Sequence, residues 1–326
     1  MKAIVFDQPG DPSVMKLGDA PAPELRAGAI RIRVAASAVN RADLLQRQGL
    51  YAPPAGASPI LGLECAGEVS EVAPDVDGWR VGDRAMALLP GGGYAQEVVV
   101  EAGCAMRVPD ALSLEQAAGV PEVFLTVYLN LFELAALRDG GSALVHGGGS
   151  GIGTAAIQLV KQIGGTIVVT AGSNEKCARC VELGADRAVN YRSEDFVEAV
   201  REQTGGRGVD AVLDSIGAPY LEQNLAALAL EGRLVLIGLM GGASAKLSLA
   251  PLLVRRLQLI GSTMRSRSAA VKSATRAAFE ARFGAALATG AIRPVIDRVL
   301  PLAEAAEAHR VVAASEHFGK VILRVD

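Results

Sequence analysis

The chain has 326 residues, half of them hydrophobic, with 37 glycines and a formal net charge of −3 at pH 7. That length supports two sizeable cores, and that apolar fraction excludes a disordered polymer. The mildly acidic balance without a basic block argues against nucleic acid as a main partner, and no run of about eighteen apolar residues points to a membrane.

In chain order, Met1 to Asp7 reads as an edge strand with no leader pattern, so the expected location is the cytoplasm. Residues 1 to about 120 alternate β-rich runs with turns, at Ala29 to Ala35, Cys65 to Val72, Arg84 to Leu88 and Ala95 to Val100, which predicts a mainly β module. Leu112 to Leu137 then reads as helical. From Ser142 strands and helices alternate: strands at Ser142 to His146, Thr166 to Thr170, Arg187 to Tyr191, Val209 to Ser215, Arg233 to Gly238 and Leu257 to Ser262, with helices at Thr154 to Ile163, Asn174 to Leu183, Glu194 to Gln203 and Pro219 to Leu230. Such alternation predicts an α/β fold with a doubly wound parallel sheet. An alanine-rich helix follows from Ser268 to Gly290. The tail, helical over Leu302 to Ala314 and extended over Lys320 to Val325, is expected to return to the first module. The expected division is therefore 1–120 for the β module, 121–286 for the sheet and 287–326 for the return.

The first strand of the alternating half runs into Gly147-Gly-Gly-Ser-Gly-Ile-Gly153 and then an apolar-faced helix. Small residues there let a pyrophosphate approach the backbone, while the helix N-terminus offers N–H groups and a positive dipole end. This predicts a dinucleotide site on Gly147, Ser150, Gly151, Ile152 and Gly153, with Ser150 standing where the strict pattern has its second glycine. Ligands of such sheets bind at the carboxyl ends of the strands, which adds Ser215, Ile216 and Gly217, then Gly238, Leu239, Met240 and Gly241, and finally Arg265, Ser266 and Arg267.

The end of the second strand distinguishes the two nicotinamide dinucleotides, because an acid there accepts from a ribose 2′-hydroxyl but repels a 2′-phosphate. The sequence reads Thr170-Ala-Gly-Ser-Asn-Glu-Lys176, with no acid at the strand end, and Ser173, Lys176 and Tyr191 are candidate phosphate donors. NADPH is therefore the expected cofactor.

Cys65, Cys104, Cys177 and Cys180 are too few and scattered for a disulfide framework. Cys177-x-x-Cys180 lies inside a predicted helix without a second pair, so it reads as packing. His146, His309 and His317, the only histidines, read as structural.

The run Gly67 to Val72 with Val76 and Arg80 to Arg84, joined to the later dinucleotide fold, resembles the medium-chain dehydrogenase/reductase superfamily. Ala35 to Tyr51, Ala87 to Gly93, His146 to Ala156 and Gly238 to Gly242 resemble its zinc-free quinone oxidoreductases, nearest the tumour-suppressor-inducible type and more distantly the zeta-crystallins. The resemblance implies a GroES-like catalytic domain beside a Rossmann domain, and a homodimer formed through the cofactor domain, whose last strand Leu257 to Ser262 can pair with its mate. It also implies that Thr126 and Tyr128 lie against the nicotinamide. Zinc-dependent relatives place a cysteine and a Gly-His-Glu motif where this chain has Asn40 and Gly62-Leu63-Glu64, so neither zinc nor flavin is expected.

Without a Lewis acid, an acceptor that is already electrophilic is the expected substrate, and catalysis is by proximity. The expected activity is hydride transfer from NADPH to small-molecule quinones, ortho-quinone-like acceptors above all. Asn40 is expected to hydrogen-bond a carbonyl oxygen and Tyr51 to stack on or donate to a ring; no acid or base stands out. One alternative is reduction of activated C=C bonds in enals or enoyl thioesters. Another, of a different class, is a crystallin-like structural or RNA-binding protein, against which the acidic charge weighs.

Overall fold

A computed structural model describes residues 1–325, which divide into two compact units, Met1–Leu125 with Met264 onward, and Thr126–Thr263. The helix Ala269–Ala288, expected with the sheet, therefore belongs to the first unit. Phe279 explains why: it is fully buried, with its ring 6.2 Å from that of Phe124.

The first unit carries β1 (Lys2–Val5), β2 (Lys16–Asp19), β3 (Ala29–Ala38), β4 (Glu64–Val72), β5 (Arg84–Leu88), β6 (Glu97–Glu101) and β7 (Ala105–Arg107). The long β3 alternates buried and exposed positions through Arg33 because one face covers the core of Ile30, Ile32 and Val34. The helix Arg41–Arg47 follows it directly, a turn that the strand-rich rhythm of this region concealed.

The second unit holds β8 (Ser142–His146), β9 (Thr166–Ala171), β10 (Arg187–Asn190), β11 (Val209–Asp214), β12 (Leu228–Leu236) and β13 (Gln258–Gly261). Their order is β10-β9-β8-β11-β12-β13 and every pairing is parallel, the doubly wound arrangement read from the sequence. Strand order reverses at β8, whose residues are all buried. The loop that follows β8 therefore emerges at the switch point of the sheet.

Two segments differ from expectation. The helix expected to Leu230 stops at Ala227 because Leu228 is already extended, with φ −68° and ψ 149°, and β12 begins there; Glu231, inside the strand, takes a left-handed φ of 63° before Gly232. The helix expected over Leu112 to Leu137 is broken at Pro121 into Leu114–Ala117 and Pro121–Val127, and continues as a π-helix over Tyr128–Leu134. A π-helix of this length is rare and tends to occur at functional positions.

The tail closes the first unit. β14 (Ile296–Pro301), which the sequence reading overlooked, pairs in parallel with β15 (Lys320–Arg324), and β15 pairs antiparallel with β3. By this pairing Lys320, near the end of the chain, is brought beside Asn40.

Candidate functional site

In the second unit the loop after β8 is built around Ser150. Its Oγ accepts from the Gly153 N–H at 3.1 Å and donates to the Gly147 carbonyl at 2.7 Å, so the residue that interrupts the glycine pattern caps the helix Gly151–Gln162 and closes the turn. Gly147 has a φ of 77°, and a Cβ on Gly153 would lie 2.4 Å from the Gly147 carbonyl oxygen and the Gly148 Cα. Only glycine fits at that crossing, and the result is a small-walled cradle at a twelve-residue helix N-terminus.

At the end of β9, Ser173 caps the helix Asn174–Glu182, accepting from the Lys176 N–H at 3.2 Å. A Cβ on Gly172 would stand 2.7 Å from Tyr191 Oη, so the phenol lies directly over the backbone that leads into Ser173. Glu175 is exposed on the first helical turn. Ser173, Lys176 and Tyr191, the three candidate phosphate donors, thus share one corner of the sheet.

The loops after β11 and β12 zip together. Met240 N–H donates to the Ser215 carbonyl at 3.1 Å, Gly241 N–H to that of Ile216 at 2.8 Å, and Ala218 N–H to that of Gly242 at 3.1 Å. Beneath them Asp214 accepts from the Ile216 N–H at 2.6 Å and from Asn224 Nδ2 at 2.9 Å. Asn224 Oδ1 lies 2.7 Å from His146 Nε2, so His146 is part of the frame that shapes the loops. Gly238 packs on Ser215, while Leu239 and Met240 are half exposed at the rim. Thr126 and Tyr128 are buried on the helix that turns into the π-helix. Among the described residues Thr126 Oγ1 has no hydrogen-bond partner, and neither does Asn130 Oδ1 one turn further on, a residue that the sequence did not single out. The ring of Tyr128 stacks on Phe132 at 5.6 Å.

The first unit contains a polar constellation of its own. Asn40 Nδ2 donates to Glu64 Oε1 at 2.9 Å and, more loosely, to the Ala38 carbonyl at 3.3 Å; its Oδ1 accepts from Lys320 Nζ at 2.7 Å. The amide expected to be free for a substrate carbonyl is thus already engaged at both ends. The Asn40 backbone N–H donates to Asp43 Oδ2 at 2.8 Å, and the Gly62 N–H to Asp43 Oδ1 at 2.9 Å. Tyr94 Oη reaches Asp43 at 3.4 Å and His309 Nε2 at 3.2 Å, and Arg47 lies 3.2 Å from His309 Nδ1. Since Arg47 can only donate, His309 carries its proton on Nε2. Burial and Arg47 hold it neutral, with its pKa pushed down to about 3.

Arg265 belongs to this unit, although its place after the sixth strand suggested a cofactor contact. Its Nε donates to the Pro90 carbonyl at 2.8 Å, its Nη2 to Gln46 Oε1 at 2.6 Å, and its guanidinium lies 5.3 Å over the half-buried Tyr51 ring. Ser266 is exposed and Arg267 half-buried beside it.

Family models match both halves: one described as alcohol dehydrogenase GroES-like domain over residues 26–110, and one described as zinc-binding dehydrogenase over residues 151–280. The fold is shared with an NAD-dependent alcohol dehydrogenase at 34% identity, covering all of both chains with a TM-score of 0.88. It is shared also with the Escherichia coli quinone oxidoreductase complexed with NADPH, at 28% identity over 99% of this chain and all of that one, TM-score 0.86. The chain belongs to the medium-chain dehydrogenase/reductase superfamily, in its quinone oxidoreductase branch. A mycocerosic acid synthase-like polyketide synthase of Mycobacterium tuberculosis is 35% identical over 91% of the chain, which spans only 14% of that synthase.

The zinc named in one family description does not fit the residues found here. Leu63, where zinc-dependent relatives have their histidine ligand, is buried and apolar, and the ammonium of Lys320 fills the polar pocket between Asn40 and Glu64. Among the described residues no cluster of three or more His, Cys, Asp or Glu side chains could hold a metal ion. A catalytic zinc needs three protein ligands, and this pocket offers a carboxylate already paired with a cation. Cys177 and Cys180 share the helix under the glycine loop, where a Cβ on Gly148 would meet Cys180 Sγ at 2.9 Å, which is a packing role. No helix among the described residues is long and apolar enough to cross a membrane.

Proposed function

We propose that this protein transfers hydride from NADPH to quinones, ortho-quinone-like acceptors above all, without a metal ion. The observation that carries the cofactor choice is the corner after β9: no carboxylate stands at the strand end, and Tyr191 Oη lies over the backbone leading into Ser173, with Lys176 one turn beyond. A 2′-phosphate carries close to two negative charges, which an acid there would repel and these three side chains suit. The NADPH-bound Escherichia coli quinone oxidoreductase supports the same cofactor and acceptor.

Reduction of activated C=C bonds is the second reading, favoured by the match inside a polyketide synthase. Both reactions use the same hydride donor and an acceptor that needs no Lewis acid. Steady-state kinetics with a panel of ortho-quinones, enals and enoyl thioesters, each with NADPH and NADH, tests the proposal. Turnover of quinones with NADPH preferred at least tenfold in kcat/KM is expected. Equal use of NADH overturns the cofactor assignment, a preference for the thioesters installs the second reading, and loss of activity with a chelator overturns the metal-free reaction.

A further inference from the structure

Hydride transfer to a quinone or an activated alkene leaves the acceptor one proton short, and the sequence offers no obvious acid. The folded first unit does. Glu122 lies in the first turn of the helix Pro121–Val127, where its backbone N–H donates to the buried Glu64 Oε2 at 2.8 Å. Tyr51, Arg265, Lys272, Glu64, Asp43 and Lys320, from separate stretches of the chain, all interact electrostatically with its half-buried carboxyl.

Two features set this cluster apart from a structural ion-pair network. Asp43 and Glu64 have both oxygens engaged by hydrogen bonds, whereas among the described residues no hydrogen bond or ion pair ties the Glu122 carboxyl. Arg265 is 4% exposed and pinned through two of its nitrogens, yet among the described residues its Nη1 has no hydrogen-bond partner, and its Cζ lies 5.3 Å over the Tyr51 ring. A buried guanidinium N–H is costly to leave unmade, so an orphan beside a half-buried tyrosine is a vacant berth for an oxygen.

We propose that Glu122 is the acid that returns the missing proton, at a station where Arg265 and Tyr51 hold the acceptor's oxygen. The proposal rests on the reductase reading above. The acceptor takes a hydride, with its electron pair, from the dinucleotide and becomes an anion, reduced by two electrons while the dinucleotide is oxidised. The O–H bond of the Glu122 carboxyl breaks, the proton joins the anion's oxygen or α-carbon, and the electron pair stays on Glu122, which takes a proton back from solvent. Burial and the Glu64 carboxylate push the Glu122 carboxyl up to about 8, so it holds a proton to give at neutral pH. Lys320 and Lys272 offset the charge it gains.

The test pairs Glu122→Gln and Glu122→Asp with the parent protein. Difference infrared titration of the free protein reads the carboxyl itself: a protonated C=O band that fades as pH passes about 8 is expected in the parent and absent in Glu122→Gln. Kinetically, kcat of the parent should fall on the same alkaline limb. Glu122→Gln should lose about 100-fold in kcat, within the range of general-acid catalysis, with KM changed less than threefold and the limb gone; Glu122→Asp should keep the limb. A limb that persists in Glu122→Gln but vanishes in Lys272→Met overturns the assignment, as does a Glu122→Gln kcat within twofold of the parent. A parent protein that reduces no acceptor on the panel overturns the reductase reading and this one together.

Discussion

Lys320 Nζ lies 2.7 Å from Glu64 Oε1 with the two side chains 3% and 0% exposed, an ion pair between the last strand and β4 at a position where zinc-dependent relatives assemble a metal site. Breaking a buried pair by removing one partner leaves an uncompensated charge and costs about 3–5 kcal/mol. Lys320→Met should lower stability by that order, and Lys320→Met with Glu64→Gln should recover part of it. Urea denaturation midpoints check this; a single variant within about 1 kcal/mol of the parent would show that water reaches the pocket.

Cofactor choice should respond to the corner after β9. A hydrogen bond to a charged group contributes about 1.5–3 kcal/mol, and each 1.4 kcal/mol is about tenfold in affinity. Lys176→Ala should therefore weaken NADPH binding roughly ten- to a hundredfold with NADH nearly unchanged, and Tyr191→Phe should act in the same direction but less. Calorimetric titration with both dinucleotides decides. Equal weakening of both would mean that Lys176 supports the loop rather than a 2′-phosphate.

Stability should fall as pH rises from about 6.5 to 8. Glu122, raised from 4.5 to about 8, binds more protons folded than unfolded across that window, so each step up in pH favours the unfolded chain. His309, lowered from 6.5 to about 3, acts oppositely and lower: its stabilising contribution is present above 6.5 and lost as pH falls toward 3. Asp43, raised to about 6, partly offsets it there. Melting temperatures of the parent and Glu122→Gln between pH 6.5 and 8 should diverge, with the variant's profile flatter; parallel profiles would contradict the assignment.

The edge of the second unit's sheet should be a subunit interface. Among the described residues β13 pairs only with β12, Leu259 on it is 41% exposed, and Leu249, Leu253 and Val254 nearby expose 69%, 80% and 70%. An uncovered edge with that apolar fringe invites pairing about a two-fold axis. Sedimentation at micromolar concentration should give a dimer, and Leu259→Lys with Leu253→Lys a monomer. A monomeric parent protein removes the proposal.

Local chemistry made the second unit legible in sequence. Several turns of its sheet are marked by glycine or by a capping serine, and the strands alternate with helices at short range, so the glycine loop, the Ser173 cap and the parallel sheet could be read without contacts. The β12 start and the π-helix could not, because an extended Leu228 within an apolar run and an extra residue per turn leave no periodic trace. In the first unit the decisive arrangement is non-local. Lys320 meets Asn40 across 280 positions of chain, and Arg265 meets Gln46 across 219. Asn40 and Tyr51 were found by resemblance, yet what engages Asn40, and the unpaired Glu122 carboxyl, follow from how β15 docks on β3 and how the last long helix packs on Phe124. Burial sets the protonation of Glu122 and His309, and burial is a property of the packed chain rather than of any one stretch of it.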